Sequence, residues 1–163
     1  MKKSEYLYLD HAATTPMREV AIKAFIDAEH EGFANSSGGH NLSRKAKNIL
    51  EESRETISSI FEVAPNEIIF TSGGTEADNW SIKSLFNKET DSNANLVTSS
   101  IEHEAVLASA EWIKDNDFPV TFSECLNTGE LDKNSFLNAV NENTIVASAM
   151  WANNETGIIQ PIK

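Results

Sequence analysis

Ile68-Ile69-Phe70-Thr71-Ser72-Gly73-Gly74-Thr75-Glu76 is a short β-branched and aromatic run that breaks into Thr-Ser-Gly-Gly. A helix-competent stretch, residues 75–86, follows at once. The pattern predicts a strand, a glycine turn and a helix. Such a turn leaves backbone N–H groups at the positive end of the helix dipole, an anion site that suits phosphate. Gly73 and Gly74 let the backbone approach a ligand without Cβ clashes, and Thr75 adds a hydroxyl in the first turn. There is no G-x-G-x-x-G and no G-K-[ST], so the ligand need not be a nucleotide, and a phosphorylated cofactor fits as well. Glycine turns of this kind are also common as plain structure, so the rest of the chain has to decide.

Downstream the alternation repeats. Residues 95–99 read as a strand and residues 102–114 as a helix, with Val106, Leu107, Ala110 and Ile113 inward. Residues 119–122 form another strand, and Asn127-Thr128-Gly129 a turn. Asp132 caps a short helix expected to bury Phe136, Leu137 and Val140, and residues 144–150 form a last apolar strand. Upstream, residues 6–9 read as extended. A helix is expected from Pro16, capped by Thr14 or Thr15, with Val20, Ala21, Ala24, Phe25 and Ala28 on one side. After the loop Asn35-Ser36-Ser37-Gly38-Gly39-His40 comes the clearest helix, in which Leu42, Ala46, Ile49, Leu50, Ser53, Ile57, Ile60 and Phe61 repeat at helical spacing. Pro65 ends it. Strands alternating with helices imply an α/β fold with a mainly parallel sheet flanked by helices. Ligands of such sheets sit beyond the carboxyl ends of the strands, so residues 72–75, 100–103 and 151–157 are expected to converge on one rim.

The 163 residues suit one domain of ordinary size, and 40% hydrophobic with 23% charged residues is normal for a soluble globular chain. No apolar run is long enough to span a bilayer, and Met1-Lys2-Lys3-Ser4-Glu5 lacks the apolar stretch of a secretory signal. The single cysteine, Cys125, excludes an intrachain disulfide and makes a cytoplasmic location the default. A net charge of −12 argues against nucleic acid or an anionic membrane surface as partner.

Four motifs occur in order: Tyr8-Leu9-Asp10-His11-Ala12-Ala13-Thr14-Thr15-Pro16, Phe70-Thr71-Ser72-Gly73-Gly74-Thr75-Glu76-Ala77-Asp78-Asn79, Glu102-His103-Glu104-Ala105-Val106-Leu107 and Asn153-Asn154-Glu155-Thr156-Gly157. Together they closely resemble the N-terminal part of a cysteine desulfurase, a pyridoxal-phosphate (PLP) enzyme of the class V aminotransferase group. The resemblance implies the large domain of the PLP-dependent transferase fold-type I, truncated here. Residues 1–15 would be an N-terminal segment lining the substrate pocket, and residues 16–163 the first, incomplete part of the PLP-binding large domain. It implies conversion of L-cysteine to L-alanine, with sulfur passed through an enzyme persulfide. The acceptor would be a protein or scaffold serving iron–sulfur cluster assembly or tRNA thiolation. A homodimer is implied as well. By position, Gly74 and Thr75 match the cofactor-phosphate site. His103 matches the imidazole that stacks on the pyridine ring and helps proton transfer, hence a catalytic as well as a cofactor-binding role. Asn154 matches the residue near the cofactor's phenolic oxygen and the substrate carboxylate, and His11, Ala12 and Thr14 match the substrate-pocket segment.

Read without the resemblance, His103 is an ordinary polar residue opening a helix, and Asn154 ordinary turn chemistry. His40 reads as loop packing or a contact near the active site, His30 as exposed, and Cys125 as structural, since it lies upstream of the family's persulfide cysteine. Asn35-Ser36-Ser37 departs from the family's usual Pro-Ser-Ser. Family members extend well past this length and carry the cofactor lysine, the acid paired with the ring nitrogen and the sulfur-accepting cysteine further on. Lys45, Lys47, Lys83 and Lys114 sit in no matching motif and read as solvent-facing helix charges. The chain is therefore expected to be a portion of a longer enzyme, inactive alone, with weak, non-covalent PLP affinity. Alternatives are another class V PLP enzyme, such as a selenocysteine lyase or an aminotransferase, or a non-catalytic binding module that retains the fold.

Overall fold

The computed structural model describes residues 7–162; the start of the expected N-terminal segment, residues 1–6, and Lys163 lie outside them. The chain divides into two compact units, residues 1–70 and 71–163.

The first unit is a helix pair. Helix α1 spans Glu19–Gly32 and α2 spans Asn41–Phe61, followed by a 3-10 turn at Pro65–Glu67. The expected start at Pro16 is three residues early. The Asp10 carbonyl accepts the amides of Ala13 (3.2 Å) and Thr14 (3.4 Å), which turns the chain there, and Arg18 is the extended N-cap. His40 caps α2 by accepting the Ser43 amide at 3.3 Å. The helix ends before Pro65, where Glu62 takes the left-handed conformation (φ 57°) and its amide returns to the Ser58 carbonyl. The apolar faces are less covered than their periodicity predicts: Val20 is 71% and Phe25 66% exposed on α1, and Ile60 is 71% and Phe61 69% exposed on α2. Two helices side by side bury only the stripe between them. There Gly32 lies so close to α2 that a Cβ would meet Ile49 Cδ1 at 2.7 Å.

The expected strand at Ile68-Ile69-Phe70 does not form. Arg54 of α2 holds the segment instead: its guanidinium donates to the Ile68 carbonyl, lies 4.9 Å from the Phe70 ring centroid and pairs with Glu51 at 3.1 Å. Ile68 is extended (φ −94°, ψ 121°), but β-propensity describes fit to a pleated partner, and no ladder partner reaches this segment among the described residues.

The second unit holds α3 (Gly74–Lys83), β1 (Asn95–Ser99), α4 (Glu104–Asp115), β2 (Val120–Ser123), α5 (Lys133–Ala139) and β3 (Thr144–Ser148). The sheet order is β2-β1-β3, and both pairings are parallel. With β1 central, right-handed crossovers carry α4 and α5 onto opposite faces. All five residues of β1 are buried, as a strand covered on both faces requires. The core joins Ile82 and Phe86, at and beyond the end of α3, to Leu96 of β1 and to Val106, Ala110 and Ile113 of α4. Asp132 caps α5 as expected, with Oδ1 accepting the amides of Asn134 (3.0 Å) and Ser135 (3.1 Å). The expected burial on α5 is only partial: Phe136 is half-buried, while Leu137 (56%) and Val140 (39%) stay exposed, because a seven-residue helix presents one narrow stripe to the sheet.

Candidate functional site

Strand β1 ends at Ser99, and four residues later His103 opens α4. Its backbone is extended (φ −61°, ψ 147°), and its Nδ1 accepts the Ala105 amide at 3.1 Å. Nδ1 is thus committed to the cap, which leaves Nε2 as the other polar atom of the ring. Across from it runs the loop after β3. Asn153 supplies the turn chemistry: its Oδ1 accepts the amides of Glu155 (3.0 Å) and Thr156 (2.9 Å) and the Thr156 hydroxyl (3.1 Å). Its Nδ2 donates to the Ile101 carbonyl at 3.0 Å. The turn role that Asn154 would ordinarily fill thus falls to its neighbour. Asn154 is exposed and lines, with His103, a cleft of about 450 Å³ whose walls are residues 100–104 and 153–156 together with Leu107.

The glycine turn lies at the opening of α3. Ser72 donates to Glu76 Oε2 through both its amide (2.6 Å) and its hydroxyl (2.7 Å), and the Thr71 hydroxyl donates to the Gly73 carbonyl at 3.1 Å. The Ser72 amide, and then its hydroxyl, hold the exposed Glu76 carboxyl below the usual glutamate range. Gly73 is extended (φ 167°), and a Cβ on Gly73 or Gly74 would meet nothing within 4 Å. Among the described residues no packing therefore requires glycine there, and the space in front of the two glycines is open. Lys83, the last residue of α3, sits over the Trp112 ring near the end of α4 at 5.3 Å, and Phe86 meets Phe118 edge-on at 5.2 Å. The carboxyl ends of the two helices adjoin, so Gly74, Thr75 and His103 lie at the same, amino-terminal end of the pair. Gly74 and Thr75 are not among the residues lining the His103–Asn154 cleft.

The remaining candidates, His11, Ala12 and Thr14, belong to the first unit and are exposed. His11 packs edge-on against Tyr8 (centroids 5.0 Å apart), whose hydroxyl donates to the carbonyls of Asp10 (2.7 Å) and Thr14 (3.2 Å). Cys125 bridges to Leu131 through its backbone and leaves its thiol exposed. Among the described residues no lysine lines the cleft: Lys83 sits on Trp112, and Lys114 pairs with Glu111 at 3.5 Å. A larger hollow of about 490 Å³ around Trp112 and Phe118 lies at the other end of α4, away from the histidine and the glycine turn, so volume alone does not locate the site. Among the described residues no group of three or more His, Cys, Asp or Glu is arranged to hold a metal, and no helix is long and apolar enough to cross a membrane. Sequence reasoning passed over Glu102 and Asn153, which tie the cleft walls together. A carboxylate directly ahead of a helix-capping histidine at a strand end was the available signal for the first.

The aminotransferase class-V family matches residues 7–163. The cysteine desulfurase IscS of Methanosarcina thermophila is 37% identical over 161 residues, 99% of this chain and 40% of that protein. The IscS-like cysteine desulfurase of Mycobacterium tuberculosis is 39% identical over 161 residues, covering 95% of this chain and 41% of its own length. Among solved structures, SspA in complex with cysteine superposes with a TM-score of 0.85 at 33% identity, over 94% of this chain and 44% of that one. The chain thus spans about two-fifths of the length of the curated relatives it matches. With the parallel α/β sheet, the motif order and this match across residues 7–163, the chain belongs to the aminotransferase class-V family.

Proposed function

We propose that this chain is the N-terminal portion of a PLP-dependent cysteine desulfurase and supplies the cofactor-docking side of its site. The observation that carries the reading is the shared cleft, lined by the capping imidazole of His103 and by the exposed Asn154. The donor set fits the cofactor. Open space in front of Gly73 and Gly74, first-turn amides without intrahelical acceptors and the Thr75 hydroxyl suit a phosphate. An imidazole held by its cap presents a fixed face to an aromatic ring.

When bound, pyridoxal phosphate supplies an electron sink for bond breaking at the substrate amino acid. The chain's own residues bind, orient and handle protons. Gly74 and Thr75 hold the phosphate. His103 keeps the ring plane and can exchange a proton at Nε2, because Nδ1 is committed to Ala105. Asn154 orients the phenolic oxygen and the substrate carboxylate without adding charge, and His11, Ala12 and Thr14 line the substrate side. The substrate is L-cysteine, the product L-alanine, and the sulfur leaves by way of an enzyme persulfide to an acceptor protein, for iron–sulfur cluster assembly or tRNA thiolation. A cytoplasmic homodimer is the assembly that this reading carries.

With no lysine lining the cleft among the described residues, the chain alone is expected to bind the cofactor reversibly and to release sulfide from L-cysteine no faster than free PLP. Titration with PLP, followed by absorbance and by borohydride trapping, tests this. Saturable binding that dialysis reverses, and that Thr75→Ala weakens, supports the reading. An absence of saturable binding overturns it, and a borohydride-fixed adduct on one lysine overturns the non-covalent mode.

A further inference from the structure

We infer that Glu102 is the positioning residue of the cleft: one buried carboxylate oxygen holds the end of β3 against the end of β1 and thereby sets the spacing between His103 and Asn154. The β1–β3 ladder stops at Thr98 opposite Ser148. Beyond that rung the two strands need another tie. Glu102 is 9% exposed, and its Oε1 accepts both the Ser99 hydroxyl, at 2.8 Å, and the Met150 amide, at 2.6 Å. One donor comes from the last residue of β1, and the other lies two residues past β3, so the side chain replaces the missing rung. A second tie runs the opposite way, from Asn153 Nδ2 to the Ile101 carbonyl at 3.0 Å. Each tie comes from the wall residue that directly precedes a proposed site residue in the chain, Glu102 before His103 and Asn153 before Asn154.

No lysine or arginine pairs with Glu102 among the described residues. A near-buried carboxylate without a cation is costly unless its hydrogen bonds are made, and both donors here converge on one oxygen. Reach, rather than charge, is what the geometry asks of this side chain. Glutamine keeps an acceptor oxygen at the same distance, whereas aspartate keeps the charge and loses a methylene.

The test compares the wild-type chain with Glu102→Gln and Glu102→Asp by amide hydrogen exchange, with PLP binding as a second arm. Met150 exchange is expected to stay within about twofold of wild type in Glu102→Gln and to rise about tenfold or more in Glu102→Asp. Core amides such as Ile113 should be unchanged in both, which separates a local clamp from general destabilisation. Should Glu102→Asp fail to fold, Ser99→Ala removes one donor with Glu102 in place and should raise Met150 exchange severalfold. Unchanged Met150 exchange in Glu102→Asp (or in Ser99→Ala, if the former does not fold), or loss of protection in Glu102→Gln equal to that in Glu102→Asp, overturns the clamp. PLP affinity should fall about tenfold in Glu102→Asp and be retained in Glu102→Gln. Only this second arm rests on the proposed cofactor site. A wild-type chain that does not bind PLP sinks that reading, while exchange still decides the clamp.

Discussion

Ser72 and Glu76 close the glycine turn with a doubled hydrogen bond to one carboxylate oxygen, and that bond leaves a titration signature. Because the folded state favours the ionised carboxyl, its hold on the turn is present at and above the ordinary glutamate range and is lost as pH falls through the lowered folded value. NMR titration of Glu76 should therefore show a midpoint below that range. Ser72→Ala should bring it only part of the way back, since the amide, the larger cause, remains. Next to this turn, Gly74→Ala separates fold from binding. Gly74 is the first residue of α3, its Cβ would meet open space, and alanine is the better helix former, so the fold should gain up to about 1 kcal/mol in chemical denaturation. PLP affinity should fall, because the new methyl occupies the approach to the first-turn amides.

Helix α4 owes its start to the residue proposed to meet the cofactor, so cap and ring have to be separated by substitution. His103→Ala removes the acceptor for the Ala105 amide and should cost about 0.5–2 kcal/mol of stability, read by denaturant unfolding. His103→Asn restores a cap and should recover most of that loss, yet it should bind PLP as poorly as the alanine variant because the ring is gone. Equal PLP binding by wild type and His103→Asn would remove His103 from the site. A histidine ahead of an apolar helical repeat was legible in the sequence as a helix opening, because capping depends on neighbours a few residues away. The same local logic located β1, α4, β2 and the Asp132 cap of α5 to within a residue or two. It failed at Ile68-Ile69-Phe70, where a strand needs a distant partner and Arg54 of α2 takes the carbonyl instead.

Across the whole molecule, the parallel sheet and its helices bury Leu96, Ala110 and Ile113 completely. Ile113→Ala should cost about 2–5 kcal/mol in denaturant unfolding, from lost transfer energy and the cavity left behind. A cost under about 1 kcal/mol would show that this core closes around the gap. The sequence by itself determined the α/β class, the order of the elements from α3 onward, the glycine turn and the family, because periodicity, caps and motif spacing are local and survive being read one residue at a time. Only the tertiary structure decided which apolar faces are covered and that Asn153, not Asn154, makes the turn. It also showed that Glu102 spans from β1 to β3. Burial and long-range hydrogen bonds depend on which residues become neighbours across the fold, and Glu102 and Met150 are 48 positions apart along the chain.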